Sequence, residues 1–128
     1  MKLLLDTHLL VWVSSSSERL SSAARSLIRK SDNDLFFSAA SIWELAIKEG
    51  SKKYDVKVDA ALLRRGLLDN GYAELPVLSD HAVAIRSLPN LHKDPFDRIL
   101  VAQATIEGIA LITADPMVAR YPGPIRKV

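Results

Sequence analysis

The chain has 128 residues, 17 Lys+Arg against 15 Asp+Glu and 48% hydrophobic content, which predicts one folded domain spanning residues 1–128 with a substantial core. It contains no cysteine, so disulfides, zinc–thiolate sites and a cysteine nucleophile are excluded, as suits a reducing cytoplasm. No stretch approaches the roughly 20 apolar residues of a membrane span, and a net charge of +2 by itself selects no polyanionic partner.

In chain order, "KLLL" reads as a short buried strand that stops at Asp6, rather than as the core of a signal peptide, because Asp6 and His8 interrupt the apolar run. "THLLVWV" is predicted helical with Asp6 or Thr7 as cap, and the serine run 14–17 as a loop. From about Ser17, the spacing of Leu20, Ala24, Leu27 and Ile28 predicts an amphipathic helix ending near Lys30. "DLFFS" is a second strand, followed by the helix "AASIWELAIKEG", stopped by Gly50. A polar segment, "SKKYDVKVD", leads to a helix around "AALLRRGLLDNG", then to a short third strand in "AELPV". "SDHAVAIRSL" is a helix capped by Ser79 or Asp80, "PNLHK" a loop, and Pro95 to Glu107 a further helix. "IALIT" is a strand bounded by Gly108 and "ADP"; a turn, "PMVARY", and an edge strand in "GPIRKV" complete the chain. Strands alternating with helices predict a three-layer α/β/α domain with a central, mainly parallel sheet.

In such folds ligands gather at the carboxyl ends of the strands, and acids stand there. Asp6 follows the first strand, Glu44 lies in the first turns of the helix after the second, and Asp115 follows "ALIT". Asp97 sits in the first turn of the late helix, with Asp94 just before it. Each has a local explanation. Asp94-Pro95 is an ordinary cap and first-turn pair, Asp115-Pro116 repeats it, Asp6 can cap the first helix, and Ser41-Ile-Trp-Glu44 matches a capping box. Caps, however, can equally be Ser, Thr or Asn. Carboxylates crowded at one sheet edge repel each other, and a hard divalent cation such as Mg²⁺ or Mn²⁺ relieves that repulsion. With four acids set aside in such a site, 17 basic residues face 11 acidic ones, or +6, on the remaining surface, which suits a polyanion.

"LLLDTHLLVW", "SAASIWELAIK", "HKDPFDRILVAQA" and "LITADP", in this order, closely resemble the PIN-domain nucleases, and more narrowly the VapC-type toxins of toxin–antitoxin pairs. The resemblance runs from Lys2 to about Tyr121. It implies a PIN-like fold and a metal-dependent endoribonuclease whose acidic quartet is Asp6, Glu44, Asp97 and Asp115. Asp6 and Asp97 are the expected direct ligands of Mg²⁺ (or Mn²⁺), with Glu44 and Asp115 bound directly or through water. Asp94 is auxiliary or a cap, and the Thr113 hydroxyl is placed to orient a carboxylate or water. The resemblance also implies a cognate VapB-type antitoxin that blocks the acidic pocket, with an inserted Arg or Lys as a candidate plug, and a homodimer formed through helices in the first half of the chain.

Two other readings remain open: a non-catalytic RNA- or partner-binding module in which the acids only cap, and a phosphatase using Asp6 as nucleophile. The second lacks the usual acid two positions on, where His8 stands. Arg98 is expected to pair with a carboxylate or with RNA; His8 and His92 flank acids and are candidates to contact phosphate, although surface or cap histidines are the default reading. Trp43, Leu45 and Ile47 are expected in the core or a dimer contact. Lys48, Lys52, Lys53, Arg64 and Arg65 are candidates for an RNA-facing rim, although a solvated helix face is the default; Arg126 and Lys127 form a small basic tail. Residues 51–79 carry few motifs and are expected to hold substrate or partner specificity.

Overall fold

The computed structural model describes residues 1–50 and 57–128. Lys52 and Lys53 therefore lie outside the described residues. The strands are β1 (Lys2–Leu5), β2 (Asp34–Ser38), β3 (Ala73–Leu75), β4 (Ala110–Thr113) and β5 (Ile125–Lys127), hydrogen-bonded in the order β3-β2-β1-β4-β5. Every pairing is parallel, with Leu4 opposite Phe36 on one side and Leu111 on the other. The chain winds outward from β1 through β2 to β3, then crosses back to lay β4 on the other side of β1. The crevice where this direction changes, at the carboxyl ends of β1 and β4, is where an open sheet of this kind receives a ligand.

The pleat divides the core. Leu3 and Leu5 point to one face, where they pack with Phe37, Ile112 and Leu9, Leu10 and Val11 of α1 (Thr7–Ser14). Leu20, Leu27 and Ile28, around α2 (Ser22–Arg29), pack on the same cluster, as do Leu45 of α3 (Ala39–Ile47) and Leu63 and Leu67 of α4 (Ala60–Asp69). Leu4 and Leu111 point to the other face, against Leu100, Val101 and Ala104 of α6 (Pro95–Glu107). The third layer also carries the short α5 (Ser79–Ala84). A fully buried leucine contributes about 2 kcal/mol relative to exposure, so these two clusters hold the three-layer α/β/α arrangement together.

Several predicted boundaries move for identifiable reasons. The helix expected from about Ser17 starts at Ser22, because Ser21 caps it, accepting the Ala24 N–H at 3.1 Å. α3 is capped by Ser38, whose Oγ accepts the Ala40 N–H at 3.0 Å. Ser41 is therefore interior and buried, and accepts a 2.9 Å hydrogen bond from the Thr7 hydroxyl; Ser41 and Glu44 form no capping box. α3 also ends at Ile47, before Gly50. Neither Ser79 nor Asp80 is the cap residue of α5: Leu78 is, and its N–H donates to Nδ1 of the buried His81, which takes the place of the usual Glu or Gln. β3 closes at Leu75, short of Pro76, which cannot donate to the ladder. α6 has the expected ends, with Asp94 as cap, Pro95 in the first turn and Gly108 left-handed at φ 67°.

One fully buried polar side chain escaped the sequence reading. Gln103, in the apolar run of α6, accepts from the Ser38 hydroxyl at 2.6 Å and donates to the Pro76 carbonyl at 3.2 Å. It ties α6 to the junction of β2 with α3, and so fixes the helix bearing Asp97 against the helix bearing Glu44. Gln103→Leu leaves the buried Ser38 hydroxyl without this acceptor and should lower stability by about 1–3 kcal/mol. The urea unfolding midpoint of the variant against the parent chain measures that loss; an unchanged midpoint would show that the Gln103 bonds contribute nothing net.

Candidate active site

Asp6 leaves β1 with its side chain buried at 4% exposure. One oxygen, Oδ1, accepts the Leu9 N–H at 2.9 Å and so caps α1; the other, Oδ2, accepts from the Thr113 hydroxyl at 2.5 Å. Thr113 ends β4, the strand paired beside β1, and its Oγ also accepts the Asp115 N–H at 3.0 Å. One threonine hydroxyl thus couples the two acidic strand ends. Asp115 divides its oxygens in the same way: Oδ1 accepts the Met117 N–H at 2.8 Å, while Oδ2 lies 3.5 Å from His92 Nε2.

Asp97, in the first turn of α6, places Oδ2 3.1 Å from His92 Nε2. Burial, and after it the charges of Asp94, Asp6 and Glu44, raise its pKa to about 7; His92 acts weakly the other way. The Asp97 carboxyl therefore feels three acids distant from or neighbouring to it in sequence. Asp6 is raised as well, mainly by desolvation, with the Thr113 and Leu9 hydrogen bonds opposing and Asp115 adding to the rise. Glu44, 1% exposed, faces inward from α3, and its Oε2 takes the Lys48 ammonium at 2.8 Å across one helical turn. Asp94 caps α6 by accepting the Phe96 N–H at 2.9 Å, and its charge still reaches Asp97.

The arrangement fits a hard divalent cation. Its donors are carboxylate oxygens; burial first, and after it the charges of neighbouring acids, raise Asp97, and a cation among them would reverse that penalty. Asp97, Asp115 and His92 each offer a ligand atom within 4.8 Å of the others.

The structure also places the other residues singled out in the sequence, and some depart from expectation. Arg98 pairs with neither carboxylate nor, through its guanidinium, a free rim. Its N–H groups donate to the carbonyls of Pro89 (3.0 Å), Ile85 (3.2 Å) and His92 (3.4 Å) and to the Tyr121 hydroxyl (3.1 Å). Four neutral oxygens occupy the fork, so it organises the loop before α6. Lys48, expected on an outer rim, turns in toward Glu44 and also lies 5.2 Å from the Phe96 ring centre. Arg64 pairs with Glu74 at 3.3 Å, Arg65 is exposed, and Arg126 and Lys127 are exposed in β5. Leu45 is core, but Trp43 and Ile47 are 62% and 58% exposed. The Trp43 ring meets Phe96 edge-on at 5.0 Å, beside an apolar cavity of about 470 Å³ lined by Val77, Ala82, Ile85 and Ile99. His8 stays on α1 against Trp12, at 5.9 Å between ring centres. His92 was undervalued: it is a neighbour of both Asp97 and Asp115. Its place directly before "KDPFD" was the available signal.

The family profile of the PIN domain matches residues 3–124, and the chain belongs to that family. Ribonuclease VapC22 of Mycobacterium tuberculosis (strain ATCC 25618 / H37Rv) is 30% identical over 126 residues, 95% of each chain. Among solved structures, VapBC2 from Rickettsia felis, bound to a DNA fragment from their promoter, contains a similar chain with TM-score 0.72 and 16% identity, covering 99% of this chain and 98% of that one. DNA-bound VapBC from Salmonella typhimurium gives TM-score 0.67 and 18% identity, with 99% and 98% covered. VapBC-5 from Mycobacterium tuberculosis gives 0.63 and 17%, with 99% and 97% covered. At these identities the structural likeness establishes the fold alone. Among the described residues, no helix is long and apolar enough to cross a membrane.

The raised Asp97 links the site to stability. An acid whose pKa is higher in the folded state holds its proton more tightly there, so its stabilising contribution is complete below the unfolded value near 3.8 and is lost as pH rises through about 7. Without metal, this contribution should fall by on the order of 2–4 kcal/mol across that window. Adding Mg²⁺ should reverse most of the fall at pH 7.5. Thermal melting at pH 5 and 7.5, with EDTA or Mg²⁺, reads both effects; a metal-independent melting temperature at pH 7.5 would argue against a cation among these acids.

Proposed function

We propose that the chain is a divalent-metal-dependent endoribonuclease, the toxin of a toxin–antitoxin pair, with Asp6, Glu44, Asp97 and Asp115 as its working acids. The observation that carries this reading is the raised Asp97, buried among the charges of Asp94, Asp6 and Glu44 at the switch point of a PIN fold. The full-length likeness to Ribonuclease VapC22 supplies the reaction class.

Asp6 and Asp97 would hold Mg²⁺ (Mn²⁺ is chemically equivalent here) directly, with Glu44 and Asp115 binding directly or through water. When bound, the ion supplies a water of lowered pKa, a contact to a phosphate oxygen and stabilisation of the leaving 3′ oxygen. The chain's own residues do the rest. The Thr113 hydroxyl keeps Asp6 Oδ2 in one orientation and ties it to the Asp115 backbone. Lys48 balances the buried Glu44, leaving Asp115, the more exposed of the two, as the better acceptor of the proton from the attacking water. That water's oxygen bonds to phosphorus as the P–O3′ bond breaks. Asp94 holds the start of α6, and with it Asp97, in place.

A VapB-type antitoxin is the proposed inhibitor, since the similar solved chains come from VapBC assemblies. A basic side chain is what the acidic crevice would accept from it. The exposed Trp43 and Ile47 on α3 favour a homodimer through that helix. The cytoplasm is the proposed compartment, consistent with the absence of cysteine.

The primary test is cleavage of total RNA by the purified chain. Mg²⁺ should support cutting and EDTA should stop it. Asp6→Asn and Asp97→Asn should each lower the rate by at least about 100-fold, corresponding to about 2.7 kcal/mol of lost transition-state stabilisation. Equal cutting under all conditions would overturn the nuclease reading. Co-expression with the neighbouring gene product, followed by native mass measurement, should give a hetero-complex built on a dimer of this chain. A free monomer would refute both partners.

A further inference from the structure

Beside the acids the surface opens into a groove of about 720 Å³, lined by Asn90, Leu91, His92, Lys93, Arg98 and Met117. That volume falls within the roughly 300–1,000 Å³ that receives a compact ligand. His92 is the shared wall: it lines the groove, and its ring lies 3.1 Å from Asp97 and 3.5 Å from Asp115. Both rims are attached to the site. Met117 gives its N–H to Asp115 Oδ1 at 2.8 Å, and Lys93 directly precedes Asp94, the cap of the helix bearing Asp97.

The groove holds its shape through bonds of its own. The Leu91 N–H donates to the Pro89 carbonyl at 3.0 Å, and the His92 N–H to the Tyr121 hydroxyl at 2.9 Å. Arg98 staples the loop from beneath through the carbonyls of Ile85 and Pro89. Two exposed groups are left over. Among the described residues, neither the Asn90 amide nor the Lys93 ammonium is engaged by a hydrogen bond or an ion pair.

Three kinds of contact meet in this hollow. Leu91 and the thioether of Met117, 38% exposed, offer apolar, polarisable surface to the face of a planar ring. The Asn90 amide offers a donor and an acceptor side by side, as the edge of a base requires. The Lys93 ammonium offers charge to a phosphate. A free phosphate would use only the lysine, and an apolar ligand only Leu91 and Met117. One nucleotide of an unpaired strand uses all of them.

We propose that this groove is a base-reading subsite for the nucleotide next to the scissile phosphate. Its base lies against Met117 and Leu91, Asn90 binds the base edge, and Lys93 binds the adjoining phosphate. The proposal rests on the nuclease reading above and narrows its substrate to unpaired RNA, because a base stacked and paired in a duplex cannot turn into a lateral groove.

Cleavage of total RNA with Mg²⁺, followed by sequencing of the new ends, is the first test. Wild type should cut in unpaired regions with one base preferred beside the cut. Both side chains are exposed, so neither substitution removes packing. Asn90→Ala should lower the base preference about 10-fold, whereas Lys93→Ala should keep it and slow cutting at all sites alike. No preference in wild type, or the same preference in Asn90→Ala, would overturn the base reading. Binding is the second test. The Asp97→Asn chain, inactive under the nuclease reading, leaves the RNA whole. By fluorescence anisotropy over a salt series, it should bind an unpaired oligoribonucleotide more tightly than the same strand paired with its complement. Adding Lys93→Ala should flatten the slope of log affinity against log salt by roughly 0.7–1. Lys30→Ala, at the exposed end of α2, should leave that slope unchanged. Tighter binding of the duplex, an unchanged slope with Lys93→Ala or an equal flattening with Lys30→Ala would overturn the proposal. If wild type cuts no RNA, the nuclease reading fails, while the anisotropy series still decides whether the groove holds an unpaired strand.

Discussion

The site depends on carboxylates that divide their two oxygens between different tasks. Asp6 gives Oδ1 to the start of α1 and Oδ2 to Thr113; Asp115 gives Oδ1 to the following turn and turns Oδ2 toward His92. Anchoring one oxygen to a backbone N–H fixes the direction of the other, because the carboxylate is planar. Capping and chemistry are therefore not rival explanations of these residues. The helix start holds the acid still, and the stillness lets several like charges share a small space without swinging apart into solvent.

The same logic explains the supporting cast. Lys48 sits one turn after Glu44 and supplies a positive charge from within the same helix. Arg98 and Tyr121 stitch the loop from Ile85 to His92 to the start of α6, and Gln103 sets α6 against the end of β2. None of these side chains needs to touch a substrate to matter. Each removes a degree of freedom from an element that carries an acid.

How much of this was legible in the sequence depended on range. "KLLL", "DLFFS" and "IALIT" announced strands because their apolar runs are short and sharply bounded, and Asp94-Pro95 announced a helix start because cap chemistry is local. Ser41 misled because a capping pattern recurs wherever serine is common, and only the fold shows that Ser38 holds the free N–H group. Arg98 and Gln103 were opaque for another reason. Most of their partners, among them the carbonyls of Ile85, Pro89 and Pro76, are backbone groups, which every residue has and no sequence pattern marks. His92 stood beside a legible motif, but a histidine's worth is set by what faces its two nitrogens, and that is a property of folded space.

The order of the strands has a temporal consequence. β1 is made first and pairs with β2 on one side, but its other neighbour, β4, lies near the far end of the chain, and Thr113 meets Asp6 across 107 positions. A polypeptide emerging from the ribosome amino end first can build the β1–β2 half long before Asp97 and Asp115 exist to join Asp6. An unfinished copy thus lacks the complete hollow, which closes only when the last third of the protein swings back and docks.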